Sequence, residues 1–297
     1  MKSLLICPSK RPAVPHLSAS GPLATVPIFG ACLVVHWIEF LTALGARQIQ
    51  VIAAEGKDEI GEAVGDGTRW GVSVGVTAVQ VEPSKVEADG QFRSEGEPGW
   101  LAPPFDIVEM SHLPGSPELP LVESYAGWFS ALNAWMPRAI TPGRIRVVEI
   151  RPGIWVGSRA RVSPSADLVA PCWIGDQVTV GSGALVGPSA ILEDRSVVGA
   201  RALVAQSWVG SDTSVGKMTS VAHSLAWGST LIDWRNDSSL HVPDSFLLGP
   251  LARPQSDAST DRFGRNLRNQ VPSESQISLI TALRTPLTQP SQLKQPI

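Results

Sequence analysis

Cysteine and tyrosine are scarce in this sequence. Its 297 residues include three cysteines, Cys7, Cys32 and Cys172, and one tyrosine. The cysteines are odd in number, far apart and in no metal-type pair, which argues against a disulfide framework and against a cysteine-ligated metal site. Scattered free cysteines are typical of a reducing compartment, so we predict a cytoplasmic protein.

The sequence also has no marked excess of positive or negative charge, and no long uninterrupted apolar run. The net charge is -3. The sequence has no basic stripe, so we expect no nucleic-acid partner. The most apolar stretch, residues 26–46, carries His36 and Glu39 near its middle, where charge is costly in lipid. This pattern predicts a loop and a buried helix with His36 in the core, and no membrane span.

The second half of the chain has a period of six residues. An aliphatic side chain recurs at every sixth position, and a small residue usually stands two positions before it. Each unit is long enough for one short strand and one turn, so stacked turns would bury the aliphatic row. With one slip of a single residue after the ninth position, the row consists of Val156, Val162, Leu168, Ile174, Val180, Val186, Leu192, Val198, Val204, Val209, Val215, Val221 and Trp227.

This row resembles the hexapeptide repeat of the left-handed parallel β-helix, and the handedness is part of what the resemblance implies. Such helices occur in acyltransferases, which place a catalytic histidine between coils, and His223 is the candidate for that base. They also form the C-terminal domain of sugar-nucleotide pyrophosphorylases, where they serve assembly and regulation. Because a β-helix exposes flat faces and an open end, we expect self-association through it.

In the first half, apolar strands alternate with helices. The pattern predicts strands at residues 4–6, 48–53, 72–79 and 104–110, and helices at residues 32–44, 57–64 and 118–136. Residues 81–99 are polar and rich in glycine and proline, and are predicted to be a loop. Alternating strands and helices favour an α/β domain with a parallel sheet.

The segments "PLATVPIFG", "LTALGARQIQVIA" and "GDGTRWGVSV" resemble the N-terminal part of the nucleotidyltransferase family that includes the sugar-nucleotide pyrophosphorylases. "WGSTLIDWRNDSS" and "VPDSFLLG" are similar to the end of the β-helix in these enzymes. The family joins a sugar 1-phosphate to a nucleoside triphosphate and releases pyrophosphate. The resemblance implies a shortened nucleotidyltransferase-like α/β domain at residues 1–150 and a left-handed β-helix at 151–252. Residues 253–297, rich in Ser, Gln, Pro and Thr, are predicted to be a disordered tail.

The catalytic signature of that family is degenerate here. The family follows its first strand with G-G-x-G-T-R-L and, about nine residues later, P-K-P. Its paired glycines fall on Pro8 and Ser9, its third glycine on Arg11, its arginine on Ala13 and its lysine on Leu23. Proline removes an amide donor, and alanine and leucine supply no charge for a triphosphate. We therefore predict a catalytically degenerate protein.

The metal motif of the family is not recognisable either. The family holds magnesium with an aspartate in a G-D context, and Asp66 is the only such residue in the first half of the chain; the resemblance implies that it belongs to a structural turn. We therefore expect no cofactor, and magnesium only if nucleotidyltransferase activity is retained. Asp106 and Glu109 are three residues apart, but nothing nearby makes them an acid–base pair.

Three functional hypotheses stay open at this point. The first is a binding, assembly or regulatory role in nucleotide-sugar or surface polysaccharide synthesis, beside an active pyrophosphorylase or a glycosyltransferase, as the resemblance implies. The second is an active nucleotidyltransferase with a rebuilt site that uses Lys10 and Arg11. The third is an acyltransferase with His223 as its base. Several of the ten tryptophans lie on or beside the repeat, where they could face the N-terminal domain, a second subunit or simply the core.

Overall fold

The computed structural model describes residues 1–19, 21–94, 98–139 and 147–251. The predicted disorder of residues 253–297 lies outside this part of the chain. The α/β half and the repeat half belong to one compact unit.

The first half is built on a parallel sheet. Its elements are β1 (Lys2–Ile6), β2 (Pro27–Ile28), β3 (Ala31–Cys32), α1 (Leu33–Ala43), β4 (Gln48–Ala53), α2 (Lys57–Val64), β5 (Ser73–Ala78), α3 (Lys85–Phe92), β6 (Ile107–Glu109) and α4 (Tyr125–Trp135). The strand order is β5-β4-β1-β6, and all three pairings are parallel. The predicted α/β class with a parallel sheet is confirmed.

Helix α1 shows how the sequence determines these elements. Its apolar residues recur at helical spacing, and Trp37, Ile38 and Leu41 are fully or almost fully buried. Gly45 adopts a φ of 96°, and this allows the amide of Ala46 to bond back to the carbonyl of Leu41 at 3.0 Å. A glycine in this conformation ends a helix at little steric cost.

Two predictions in this half are wrong. Residues 81–99 contain α3, because Ser84 and Glu87 form a reciprocal capping box that starts a helix after Pro83. The predicted helix 118–136 begins only at Tyr125. Residues 118–123 are not helical, and Ser124 caps α4 by accepting a hydrogen bond from the amide of Gly127.

The second half is a coil with three short strands in each turn. Its parallel pairs join Val156 to Ile174 and Ile174 to Leu192, 18 residues apart, and then Leu192 to Val209, 17 residues apart. We call residues 154–227 the coil region. The strands of this half are β7 (Val147–Arg151), β8 (Ile154–Gly157), β9 (Arg161–Val162), β10 (Asp167–Leu168), β11 (Cys172–Ile174), β12 (Thr179–Val180), β13 (Leu185–Val186), β14 (Ala190–Leu192), β15 (Val197–Val198), β16 (Leu203–Ala205), β17 (Ser207–Val209), β18 (Thr213–Val215), β19 (Ser220–Ala222), β20 (Ser224–Trp227), β21 (Thr230–Asp233), β22 (Ser238–His241) and β23 (Leu248–Pro250).

Three sheets run along the coil region. The strands β8-β11-β14-β17-β20 form one face, β9-β12-β15-β18 the second and β10-β13-β16-β19 the third. At the end of the coil region, β21 and β22 extend the first face with antiparallel pairings, and β23 extends the second. The aliphatic row lines a separate core inside these sheets.

The predicted place of Trp227 in the aliphatic row is wrong. Val209 pairs with Ala226, and Ala226 is the residue buried in the inner core. Trp227 instead packs against the core of the first half. The spacing between inward-facing residues falls from six to five between Val204 and Val209, which is the predicted slip. It falls to five again between Val221 and Ala226, so the period slips a second time.

The outward side chains of the first face form an apolar row that joins the two halves. Trp155 pairs with Trp173, Trp173 with Ile191, Ile191 with Trp208, and Trp208 with Leu225. We call these five residues the outer row. All of them belong to the hydrophobic core of the α/β half. The tryptophans of the outer row therefore pack between the two halves, which is one of the roles expected from the sequence.

Candidate functional site

The order of the parallel sheet locates a crevice. From β1 the chain proceeds to β4 and β5 on one side, and then returns to place β6 on the other side of β1. The crossover from β1 to β4 and the later crossover from β5 to β6 therefore run in opposite directions along the sheet. Ligands of open α/β sheets bind outside the carboxyl ends of the strands at such a reversal. Here that edge carries the β1 loop, residues 7–14, which includes most of the positions predicted to align with the nucleotidyltransferase signature.

A glutamate from β5's end of the sheet closes the β1 loop. Glu82 Oε2 accepts hydrogen bonds from the Ser9 amide at 2.8 Å, from the Ser9 hydroxyl at 2.6 Å and from Arg11 Nη1 at 2.7 Å. Its Oε1 accepts from Arg11 Nη2 at 2.6 Å. The Glu82 carboxylate thus occupies the Ser9 amide and the Arg11 guanidinium, the donors that a bound phosphate group would use. A two-point pair of this kind is among the stronger charge-assisted contacts in proteins.

Electrostatics keep both partners charged. Burial by itself would raise the pKa of Glu82, but the hydrogen bonds from Arg11 and Ser9 outweigh it and hold that pKa below its usual value. The hydrogen bond with Glu82 raises the pKa of Arg11. Glu55, which follows β4, adds a second negative charge near Arg11. The positive charge of Arg11 is therefore already neutralised within the protein and is not free to attract an incoming anion.

The other signature positions are not arranged for phosphate binding. Pro8 is buried, Ala13 is exposed, and Leu23 lies in the core with 1% of its surface exposed. Lys10 is exposed and makes no ion pair within the described ranges. The structure thus places Arg11 at the predicted edge but pairs it with Glu82, and leaves Lys10 in solvent.

Two titratable residues of this edge were not found by sequence reasoning. The Cys7 thiol, directly after β1, is buried, and burial raises its pKa, so the thiol stays protonated. His112 follows β6; burial first and the nearby Lys85 second lower its pKa. Its ring packs edge-on against Trp37 at 5.3 Å, and its carbonyl accepts from the Trp37 indole at 3.0 Å. The signal for His112 was its position beyond the carboxyl end of a strand.

His223, the candidate base, forms a turn of the coil region. It has a φ of 54°, and the equivalent residue one turn earlier, Gln206, has a φ of 48°. Its amide donates to the Ala205 carbonyl at 3.2 Å, and its ring lies tilted at 5.9 Å from Trp234. Trp234 in turn stacks on Phe129 of α4 at 4.9 Å. Histidine tolerates this left-handed backbone better than most residues, which gives it a structural reason to stand here.

A buried carboxylate joins the coil region to the β2–β3 hairpin. Glu193 is completely buried and accepts from the Phe29 amide at 2.7 Å, the Gly30 amide at 2.9 Å and the Trp208 indole at 3.1 Å. Burial raises the pKa of Glu193 to about 7, against the opposing effect of these three donors. The negative charge of neighbouring Asp194 contributes to this rise. Nothing in the sequence pattern singled out this residue.

The remaining candidates have structural partners. His36 is buried, with its Nε2 2.8 Å from the Ile28 carbonyl, so its predicted core position is confirmed. Asp66 lies in a turn and accepts from the Thr68 amide at 2.9 Å. Asp106 pairs with Arg93 at 3.0 Å, while Glu109 lies in β6.

Magnesium does not fit the edge of the sheet as the residues stand. Mg²⁺ requires oxygen ligands in near-octahedral geometry. Glu82 is engaged by Arg11 and Ser9, and no group of three or more His, Cys, Asp or Glu residues in the described part of the chain is placed to hold a metal ion.

No helix among the described residues is long and apolar enough to cross a membrane.

No family model matches this chain, and no curated protein matches it.

Proposed function

We propose that this chain is a catalytically degenerate, sugar-nucleotide pyrophosphorylase-like protein with a binding, assembly or regulatory role in nucleotide-sugar or surface polysaccharide synthesis. In this proposal the coil region is a left-handed parallel β-helix, and the first half is a shortened nucleotidyltransferase-like domain of a cytoplasmic protein. The observation that supports it most directly is the contact of Glu82 with Ser9 and Arg11.

The physical argument concerns competition for the same donors. A triphosphate that entered the β1 loop would have to displace Glu82 from Arg11 and from the Ser9 amide. The displaced carboxylate would then stand beside the phosphates as a like charge, which lowers affinity rather than raising it. The loop also lacks the flexible glycine amides that form phosphate nests in other proteins. A resting protein with this loop is therefore poorly suited to transfer a nucleotidyl group.

A role in assembly agrees with the rigid join between the halves. The outer row and Glu193 hold the coil region against the α/β half, so the molecule presents its remaining coil faces in a fixed orientation. The partners in this proposal are a second copy bound through the β-helix, and an active pyrophosphorylase or glycosyltransferase. The surroundings of His223 support a turn-forming role more than an acyl-transfer role.

A pyrophosphate-release assay tests the proposal. Purified protein is incubated with each common nucleoside triphosphate, a set of sugar 1-phosphates and Mg²⁺, and released pyrophosphate is followed by a coupled reaction. We expect no release above the rate without enzyme. Release at enzymatic rates would overturn the proposal, and loss of that release in Arg11→Ala would support the rebuilt-site hypothesis instead. Light scattering on the same sample tests self-association, and we expect a species larger than the 31.6 kDa monomer.

A further inference from the structure

A cleft of about 590 Å³ lies between the first loop of the chain and the end of the coil region. One wall comes from the segment before β2, with Pro22 and Val26 among its residues. The other comes from the turns around β18 and β20. Its volume is within the range of small-molecule sites, and such sites occur preferentially where two parts of a fold meet. It is distinct from the β1 loop, since no residue of 7–14 lines it.

One aromatic residue, Trp227, lines this cleft. Trp227 is partly exposed, and its ring meets Trp208 edge-on with 5.6 Å between centroids. Gly210 makes room for this ring, because a Cβ on Gly210 would lie 3.0 Å from Trp227 Cγ and Cδ1. A tryptophan fixed in this way offers an apolar surface together with one polar N–H.

Free hydrogen-bonding groups line the same cleft as that ring. The indole N–H of Trp227 and the hydroxyls of Ser211 and Thr230 make no hydrogen bond within the residues that the structure describes, and all three residues are partly exposed. Each hydroxyl can both donate and accept, whereas the indole only donates. Three uncommitted polar groups in one cleft with an aromatic ring suit a ligand that carries several hydroxyls.

The charge of the cleft favours a neutral ligand. Its two charged residues, Arg195 and Asp212, form a two-point pair, with Nε–Oδ1 at 2.7 Å and Nη2–Oδ2 at 2.8 Å. Their charges cancel, so neither a phosphate nor an amine meets a net opposite charge. The pair still offers donor and acceptor edges side by side, which again matches hydroxyl groups.

From the aromatic ring, the free hydroxyls and the balanced charge we infer that this cleft binds a neutral carbohydrate. The apolar face of a sugar ring packs on Trp227, and its hydroxyls bond to Ser211, Thr230 and the Arg195–Asp212 pair. This binding site is independent of the β1 loop and of any nucleotide chemistry there.

Saturation-transfer NMR on the full chain tests this inference. The probes are glucose, galactose, mannose, N-acetylglucosamine, and the trisaccharides of glucose and of N-acetylglucosamine, each at about 10 mM so that millimolar affinities are detected. We expect at least one of them to receive magnetisation on its ring protons. The double variant Ser211→Ala/Thr230→Val removes two hydroxyls with little change in shape, and we expect its Kd to rise at least about five-fold.

The matched control is Ser182→Ala/Thr179→Val, which removes two exposed hydroxyls of the coil region away from the cleft. We expect it to bind as the unmodified chain does, and circular dichroism on both double variants checks that they are folded. The inference is overturned if no saccharide binds, if binding survives unchanged in Ser211→Ala/Thr230→Val, or if both double variants lose it equally. It is also overturned if uridine or inorganic phosphate, added to the same panel, binds at this cleft and the saccharides do not.

Discussion

At the scale of single residues, two glutamates, one half-buried and one fully buried, hold loops of the first half in place. Glu82 holds the β1 loop through Ser9 and Arg11, and Glu193 holds the β2–β3 hairpin through Phe29 and Gly30. The two differ in their electrostatics. Glu82 faces a guanidinium and stays ionised, whereas Glu193 faces neutral donors in a dry environment, so burial raises its pKa to about 7.

The raised pKa of Glu193 predicts a specific pH dependence of stability. An acid whose folded-state pKa lies above its unfolded value of 4.5 binds protons more tightly when folded. Its contribution therefore favours the folded state at low pH and is lost as the pH rises through 7. We expect Glu193→Gln to remove this dependence. Between pH 5.5 and 8, the unmodified chain should lose about 2 kcal/mol more unfolding free energy than the variant.

Urea unfolding of both proteins at the two pH values measures this difference. All other titratable groups are the same in the two proteins, so their contributions cancel in the comparison, apart from that of Asp194, which is coupled to Glu193. Equal losses of stability in the two proteins would show that the Glu193 carboxylate does not titrate in this range.

At the scale of elements, the β2–β3 hairpin anchors the two halves. Its turn residues, Phe29 and Gly30, have φ angles of 51° and 77°, a conformation that favours glycine but is unusual for phenylalanine. The Phe29 ring lies 4.9 Å from Trp173 and 5.9 Å from Trp135. The contacts of the ring and the two amides bound to Glu193 offset the backbone strain at this position.

Removal of this anchor should be costly. We expect Phe29→Ala to lower the unfolding free energy by about 3–5 kcal/mol, the usual cost of deleting a buried phenylalanine side chain. Phe246→Ala is the matched control, because Phe246 is 86% exposed and its truncation should change stability by less than about 0.5 kcal/mol. Thermal and urea unfolding compare the two variants. A small effect of Phe29→Ala would mean that the hairpin does not join the halves.

The turn that contains His223 gives a second prediction at this scale. If the histidine is there for its left-handed backbone, His223→Asn should be nearly neutral, whereas His223→Val should cost about 1–2 kcal/mol because a β-branched residue resists positive φ. Differential scanning calorimetry measures both. A large loss with asparagine would point to a role of the imidazole that the turn does not explain.

Much of this element structure can be predicted from local pattern. The aliphatic row of the coil region follows from its period, and the parallel sheet follows from alternating strands and helices. Trp227 was misplaced because one turn is a residue shorter, a change that periodicity alone does not reveal. The contact between Arg11 and Glu82 could not be predicted either, because the two residues are 71 positions apart and neither belongs to a periodic pattern.

At the scale of the whole molecule, the outer row makes the two halves mutually dependent. Its tryptophans are almost fully buried by the α/β half; Trp173 and Trp208 are 0% exposed. Separation of the halves would expose this contiguous aromatic surface to water. Exposed apolar patches of that kind cause association.

We therefore expect the full chain to unfold in one cooperative transition, and the fragment 147–251 to aggregate or to bind a hydrophobic dye strongly. Replacement of Trp155, Trp173 and Trp208 by serine in that fragment should restore solubility, because the inner core of the coil region does not include them. Light scattering and dye fluorescence follow both fragments. Two well-separated transitions in the full chain, or a soluble unmodified fragment, would contradict a shared core.

The central claim is that Glu82 closes the β1 loop to nucleotides. Titration calorimetry tests it most directly, by measuring the binding of magnesium nucleoside triphosphates to the unmodified chain and to Glu82→Gln. We predict no measurable binding to the unmodified chain. We predict weak binding to Glu82→Gln, because the change weakens the contacts that hold Arg11 and the Ser9 amide and removes one negative charge. Micromolar binding to the unmodified chain, weakened in Glu82→Gln, would contradict the claim and make Glu82 part of a working nucleotide site.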